Sequence, residues 1–275
     1  MEIRKKLGTA LKILDQKGLA GLWHTIRQKL VALTCTDENE IIYEILQDST
    51  SNGYMCDVGA HHGYSLIPFA KAGWQVFAFE PDPENRSHLL ENTRIYPGVH
   101  VDSRAVSDKM EESVPFFTSK ESSGVGSLSA FLSSHEQAYS VSTTTLDEFF
   151  REEDVDKIDY LKVDTEGFDL MVLKGIDWKR IQPKVILCEF EDAKTQKLGY
   201  TYTTLADFLV SKGYHVIVSE WRPIVRYGEQ HSWRGYYTYP HKLQDEKAWG
   251  NLIATCNDDL HQKLIKRCKP KPIKS

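Results

Sequence analysis

No stretch of this 275-residue chain stays apolar for the ~20 residues that a membrane-spanning helix needs. The N-terminus also lacks an uninterrupted hydrophobic segment with a small-residue cleavage site, so no secretory leader is expected. Cysteine is sparse. Cys35, Cys56, Cys188, Cys256 and Cys268 are scattered without C-x-x-C spacing, which argues against a thiolate metal centre or a disulfide framework. Three of them fall in apolar, strand-like runs, the pattern of reduced and buried thiols in a cytoplasmic protein. Positive charge is not in excess either. The total is −5, yet residues 1–33 carry seven Lys/Arg against two acids and residues 260–275 carry six against none, which leaves −16 on the body between. Nucleic-acid binding is dominated by cationic contacts to phosphate, and such a body is a poor surface for it. The 41% apolar and 27% charged fractions are ordinary for a soluble globular protein, and the length suits one large α/β domain with additions.

A further absence lies in the most informative stretch, Met55 to Tyr64, which reads MCDVGAHHGY. A short apolar run ends in Asp57, a tight Gly59–Gly63 loop follows, and helix-forming sequence resumes at Tyr64. A strand that turns through glycines into a helix points bare backbone N–H groups above the sheet edge. Glu80 ends the next apolar run, Trp74 to Phe79, at a distance that suits the ribose of a nucleoside ligand. The dinucleotide fingerprint needs a middle glycine to let a pyrophosphate approach; here that position is His61. S-adenosylmethionine has no phosphate and offers a carboxylate, an ammonium and a ribose, which a looser loop and two acids can satisfy.

Residues 1–36 read as a basic extension with apolar residues at helical spacing (Ile3, Leu7, Leu11, Leu14, then Leu22, Ile26, Leu30), divided near Gly18 and Gly21. Its apolar face packs on the domain or on a second copy, or else, with Trp23 and the basic residues, lies on a membrane surface. A helix is expected from Asp37, with acids in its first turn. After the loop, Ser65 to Lys71 reads as helix, with Pro68 tolerable only near the first turn. Glu84 to Ile95 reads as helix with Leu89, Leu90 and Ile95 inward. Strands are expected at Val99–Val106, Ser113–Thr118 and Tyr139–Thr144, and a short helix at Leu146–Phe150. The Ser/Gly-rich segment Ser119 to Ser134 reads as mobile surface, with a lid over substrate as the alternative.

The second informative stretch is IDYLKVDTEGFDLMVLKG, Ile158 to Gly175. An apolar run ends in Asp164, a sharp turn carries Glu166 and Gly167, and a helix with Leu170 and Leu173 follows. The next strand, Lys184 to Phe190, ends in Glu189 and Glu191. Open α/β sheets bind ligands at the carboxyl ends of their strands, so Asp57, Glu80, Asp164 and Glu189 should converge there. Further on come a helix (Thr203–Lys212), a strand (Tyr214–Ser219), an aromatic and arginine-rich excursion that suits a packed β-hairpin or, as the alternative, stacking on a sugar or another polar ring, and a strand at Trp249–Thr255. From His261 the tail is basic, and Pro270 and Pro272 should fray it.

DVGAHHGY, FEPDP, AVSD, TTTLDEFF, YLKVDTEGFDLMVLKG and VILCEFE, in this order and spacing, resemble the FkbM-type S-adenosylmethionine-dependent methyltransferases over roughly residues 50–220. The family's glycine loop usually has Asn at the position of His61. The resemblance implies a Rossmann-like class I methyltransferase fold, with a mostly parallel seven-stranded sheet, helices on both faces and an N-terminal helical extension. The domains would then be the extension (1–36), the methyltransferase domain (37–260) and the basic tail (261–275). It further implies O-methylation, often of sugars in glycans or secondary metabolites. Carried over by position, Asp57, Gly59, Ala60, His61 and Gly63 surround the methionine end of S-adenosylmethionine, Glu80 accepts from the ribose hydroxyls, and Ala105 lies near the adenine. Asp164 faces the methionine ammonium or the acceptor. Candidates for the base that takes the acceptor's proton are Asp164, Glu166 and Glu189, with His62 and His231 behind them. Asp164 and Glu189 could instead hold a hard divalent metal, a reading placed below a metal-free mechanism. The expected partner is a hydroxyl-bearing saccharide or glycan, in the cytoplasm or at the inner face of the membrane, with a homo-oligomer also open. The rival readings are a nicotinamide-dependent oxidoreductase and a cofactor-binding scaffold without chemistry.

Overall fold

Short apolar runs bounded by acids and glycines become the central strands, because a parallel strand covered on both faces can carry large side chains in either direction. The computed structural model describes residues 37–47, 50, 52–119, 123–225 and 231–270. Two compact units divide the chain at residues 40 and 41. Of the first, residues 37–40 are described and begin helix α1 (Glu38–Gln47). The amphipathic helices expected over residues 1–33 lie outside the described residues.

The second unit continues with β1 (Tyr54–Val58), α2 (Ile67–Lys71), β2 (Gln75–Phe79), α3 (Pro83–Thr93), β3 (Val99–Asp102), β4 (Ala105–Val106), β5 (Glu111–Ser119) and β6 (His135–Thr144). Then come α4 (Leu146–Glu152), β7 (Tyr160–Val163), α5 (Asp169–Lys174), β8 (Val185–Glu191), the single turn α6 (Asp192–Thr195) and α7 (Tyr202–Ser211). β9 (His215–Trp221), β10 (Trp233–Thr238), β11 (Trp249–Thr255) and α8 (Asp258–Cys268) complete the described chain. Pro68 sits in the first turn of α2, where its missing N–H costs nothing, and Asp82 caps α3 by accepting from the amides of Glu84 and Asn85.

The main sheet has eight strands in the order β10-β9-β11-β8-β7-β1-β2-β3, one more than the seven expected. The extra strand is β10, which forms from the aromatic excursion and pairs antiparallel with β9. β3, β2, β1, β7 and β8 form one continuous parallel block, and β11 runs antiparallel between β8 and β9. Chain order moves outward from β1 through β2 to β3, then resumes on the opposite flank of β1 with β7 and β8. The carboxyl ends of β1 and β7 therefore bound the switch-point crevice in which open α/β sheets bind ligands.

Strand alternation splits the core between the two faces. Cys56, Val58, Leu161, Val163 and Ile186 belong to one buried cluster, and Met55, Tyr160, Val185 and Leu187 to the other. Three expectations fail locally. α3 stops at Thr93, Leu90 on it and Ile95 beyond its end are exposed, and Leu89 alone of that trio is buried. The strand expected over Val99–Val106 breaks at Ser103–Arg104, because Asp102 accepts from both the backbone amide and the guanidinium of Arg104, which also reaches Glu152. Beyond the break, β4 joins β6 in a separate three-stranded sheet, β4-β6-β5. The basic stretch from His261 is helical through Cys268, with Leu264 and Cys268 buried. Residues 271–275, including Pro272, lie outside the described residues.

Candidate active site

At the carboxyl end of the parallel block opens a cavity of about 800 Å³ measured out to its mouth, ample for a nucleoside-sized ligand. Its apolar part is formed by Val58, Phe79, Ala105, Val106 and Phe116, and acids stand at either side: Glu80 at the end of β2, Asp164 and Glu166 after β7. Part of the Ser/Gly-rich segment also reaches its wall. Ser123, Gly124, Gly126, Ser127 and Leu128 all line the cavity, so the reading of this segment as plain surface is corrected. Asn85 donates to the Ser123 carbonyl, His61 Nε2 lies 3.0 Å from Ser123 Oγ, and Ser127 donates to the Glu166 carbonyl.

Four amides of the glycine loop, expected to be bare, have partners within the protein. The amides of Gly59 and Ala60 both donate to the Phe79 carbonyl, Gly63 donates to Ala60, and His61 donates to Glu80 Oε2 at 2.7 Å. Gly59 is required for another reason. At φ +80° it passes so close to the end of β7 that an added Cβ would stand 1.9 Å from the Asp164 carbonyl oxygen. Glu80 accepts from His61 and, through Oε1, from the Asp82 amide, so it is fixed in direction while lone pairs on both oxygens remain available. Burial raises its pKa to about 7 against those two hydrogen bonds.

Below the cavity, register sets up a buried ion network. β1 and β7 pair Asp57 with Lys162. Lys162 Nζ lies 3.3 Å from Asp57 Oδ1 and 3.2 Å from Asp164 Oδ2, and Ser65 donates to Asp57 Oδ2 at 2.6 Å. Burial works against the ammonium, but Asp57 and Asp164 outweigh it and hold the Lys162 pKa above the ordinary lysine value. Burial lifts Asp57 despite Lys162. For Asp164, whose side chain is 42% exposed where it faces the cavity, burial pulls upward while Lys162 and then Lys194 pull it below the usual carboxylate range.

The second network lies under the D-T-E-G turn. Lys194, from α6, is 2% exposed, and its Nζ meets Glu166 at 2.5 Å, Glu189 at 2.8 Å and Glu191 at 3.0 Å. Asp169 accepts from the Glu189 amide and the Thr165 hydroxyl. Burial raises Glu166 to about 7, opposed by Lys194 and reinforced by Asp164; burial likewise raises Asp169 to about 7 and Glu189 well above its ordinary value. Glu166 has φ +55°, a left-handed position that only a sharp turn imposes on a non-glycine residue, and the turn brings it to the cavity wall. A carboxyl with a pKa near 7 is well placed to take a proton from a bound hydroxyl.

Of the residues singled out from the sequence, Gly59, His61, Glu80, Ala105, Asp164 and Glu166 line the cavity. Asp57, Ala60, Gly63 and Glu189 are not on its wall; Asp57 and Glu189 support it from beneath through the two lysines. His62 stacks on His61 with ring centroids 3.8 Å apart, and His231 lies against Trp249, both off the cavity wall. Sequence reasoning passed over Lys162 and Lys194. A lysine in the middle of the buried run YLKV was a readable sign that an acid must lie across the ladder; nothing comparable marks Lys194. Asp164, Glu166 and Glu189 can each offer an oxygen within 4.8 Å of the others, the spacing of a cation site, but the Lys194 ammonium stands among these acids.

The chain is 31% identical over 140 residues to the hexuronic acid methyltransferase AglP of Haloferax volcanii, a match that spans 50% of this chain and 56% of that relative. Overlays on solved structures include a precorrin-6y C5,15-methyltransferase from Geobacter metallireducens (13% identical, TM-score 0.42, 79% of this chain and 86% of that one). Another is the magnesium protoporphyrin IX methyltransferase of Synechocystis PCC 6803 (10% identical, TM-score 0.42, 80% and 77%). They are too loose to bear on the site. Residues 57–216 match the model of the methyltransferase FkbM domain, well over half of the chain, and the chain belongs to that family of methyltransferases.

Proposed function

We propose that this protein transfers a methyl group from S-adenosylmethionine to a hydroxyl of a saccharide or a saccharide-bearing metabolite. The observation that carries the reading is a cavity at the switch point with a carboxyl at either side, Glu80 fixed by two backbone amides and Glu166 held on the turn after β7, both with a pKa of about 7. The chemistry of the lining fits the donor: an apolar slot for a purine, hydrogen-bond acceptors for ribose hydroxyls, and Asp164 for an ammonium. Bound there, S-adenosylmethionine would supply an electrophilic methyl on sulfur. Glu80 would hold the ribose through its free lone pairs, and Phe79, Val106 and Phe116 would exclude water from the base. Asp164, kept ionised by Lys162, would fix the donor's ammonium, and Glu166 would accept the proton of the attacking hydroxyl. Alignment of the two reactants supplies most of the rate, and a positioned base adds about 10²–10⁴.

The saccharide acceptor rests on AglP, a hexuronic acid methyltransferase, and on the family resemblance. Dinucleotide binding is disfavoured by the loop itself. The amides of Gly59, Ala60 and His61 all have partners within the protein, and His61 stands where a pyrophosphate would need glycine.

Calorimetry tests the donor: S-adenosylmethionine and S-adenosylhomocysteine should bind and NAD should not. Glu80→Ala should weaken both sulfur nucleosides by ~1.5–3 kcal/mol per lost hydrogen bond to the carboxylate. Binding of NAD without a response to either sulfur nucleoside would overturn the proposal. Methyl transfer from labelled donor to a panel of glycans and hydroxylated metabolites then identifies the acceptor. Among the described residues no helix is long and apolar enough to cross a membrane. Co-sedimentation with anionic liposomes, weaker at high salt and absent for a chain starting at Asp37, would assign residues 1–33 to a membrane surface; equal partitioning would favour packing on the domain or on a second copy.

A further inference from the structure

Lys194 occupies the place that a divalent cation would take in a site of this composition. Three carboxylates from two different elements, Glu166 on the turn after β7 and Glu189 and Glu191 at the end of β8, converge on one ammonium at 2.5–3.0 Å. The ammonium donates a hydrogen bond to Glu189 Oε2 and forms ion pairs with Glu166 and Glu191. The Phe131 ring lies 5.4 Å from Nζ and adds a further attraction for a cation. The stem is fixed as well. Gly167 lies over it at φ +104°, and a Cβ there would come within 3.2 Å of Lys194 Cβ, so the turn closes on the lysine only because glycine follows Glu166. At 2% exposure the side chain is enclosed.

We propose that Lys194 is a built-in cation that replaces a divalent metal in this cluster: its ammonium neutralises Glu166, Glu189 and Glu191, holds Glu166 at the cavity wall, and keeps metal ions out. Calcium and magnesium bind hard oxygen ligands at about 2.0–2.6 Å and need the space that Nζ fills. Lys194 is thus a positioning residue, acting on the acceptor through Glu166. Removing the ammonium leaves three carboxylates facing an empty, polar pocket, and such a pocket takes up a divalent ion. This metal-binding consequence stands whether or not the protein transfers methyl groups; the catalytic consequence rests on the proposed function.

The test titrates Mn²⁺ calorimetrically into the full-length wild-type chain, Glu189→Gln, Lys194→Ala and Lys194→Ala/Glu189→Gln, with circular dichroism as the check on folding. Wild type should show no Mn²⁺ site that depends on Glu189. Lys194→Ala should bind Mn²⁺ about tenfold or more tightly than wild type, and the double variant should lose that gain. A wild-type Mn²⁺ site abolished by Glu189→Gln overturns the proposal, and so does a folded Lys194→Ala without the gain. If Lys194→Ala does not fold, the wild-type and Glu189→Gln titrations still decide, since a metal-excluding lysine and a wild-type metal site cannot coexist. Once an acceptor is known, wild-type turnover should be the same with and without a chelator. Lys194→Ala should lose about tenfold or more in kcat at unchanged donor Kd, and Mn²⁺ should restore part of the loss. Chelator-sensitive wild-type turnover would sink the idea, while absence of methyl transfer with every acceptor would count against the proposed function and leave the Mn²⁺ result standing.

Discussion

Two clusters of buried charge sit at the same edge of the main sheet and differ in how they are balanced. At the end of β9, Glu220 is fully buried and accepts from Arg234 at 2.9 Å, from the Gln244 amide at 3.1 Å and pairs with His241 at 2.7 Å. One carboxylate there faces two basic side chains and has a partner on each oxygen. At the ends of β1, β7 and β8, six acids (Asp57, Asp164, Glu166, Asp169, Glu189, Glu191) face two lysines, and the cluster opens into a cavity. Burial drives Glu166 and Asp169 up to about 7, and the neighbouring Asp164, part of the surplus of acid in the second cluster, adds to the rise. A matched cluster locks strands together. An unmatched one next to a cavity holds protons that can move near neutral pH, which is the state that acid–base chemistry requires.

The largest effect should come from the unmatched cluster. Glu166→Gln keeps size and reach and removes basicity, so turnover should fall by about 10²–10⁴ while the Kd for S-adenosylmethionine stays unchanged. Wild-type activity should rise with pH through about 7 as Glu166 loses its proton, and that limb should vanish in the variant. Calorimetry beside initial-rate measurements separates the outcomes. Parallel loss of affinity and rate would make Glu166 a donor-positioning residue, and full activity would make the turn purely structural.

How much of this contrast could be read from the chain depends on which side of the backbone holds the information. Acids that end apolar runs were legible, because the parallel strands of a sheet end along one line; Glu80, Asp164 and Glu166 reach the cavity for that reason. Asp57 and Glu189 look identical in sequence but lie beneath, since side chains alternate between the two faces of a strand and lysines wait below. The strand over Val99–Val106 and the inward Leu90 and Ile95 were misread because local pattern carries no signal for the Asp102–Arg104–Glu152 network or for where α3 turns to solvent. β10 arose from aromatic, glycine-bearing sequence that reads as an excursion until β9 supplies an edge to pair with.

The matched cluster should fail differently. Glu220→Gln leaves Arg234, 12% exposed, next to a neutral side chain in a dry setting. Breaking one partner of a buried pair costs about 3–5 kcal/mol, so thermal unfolding should shift down by several degrees. Donor affinity should hold, since Glu220 is not on the cavity wall. A normal Tm would show that the cluster is dispensable for stability; lost affinity at normal Tm would bring β9 and β10 into the binding site and erase the contrast.

The smallest and most discriminating effect is the pH dependence of stability. Glu80, Glu166 and Asp169 each have a folded pKa of about 7 against an ordinary acid value near 4–4.5. Between those limits the folded protein holds protons that the unfolded chain has released, so these groups lower stability as pH rises from about 4.5 to about 7. Asp57 and Glu189, also raised by burial, add to the same slope. Asp164, lowered, contributes stability above its unfolded value that is lost only as pH falls through its folded one, below this window. Lys162, raised, contributes stability that is fully present below its unfolded value and disappears only in strong alkali. His61 and His261, lowered chiefly by burial, oppose the trend, because stability gained from keeping them neutral grows as pH rises toward about 6.5. Both rings are part-exposed, so solvent screens them, and the acids should dominate. The Tm of the ligand-free protein should therefore decline from about pH 5 to about pH 7.5, opposite to the rise expected when salt-bridged carboxylates prevail. Glu166→Gln deletes one contributor and should flatten the decline without abolishing it. A Tm that rises across this interval, or a slope that Glu166→Gln leaves unchanged, would mean that Lys194 and Lys162 already balance the cavity cluster as completely as Arg234 and His241 balance Glu220.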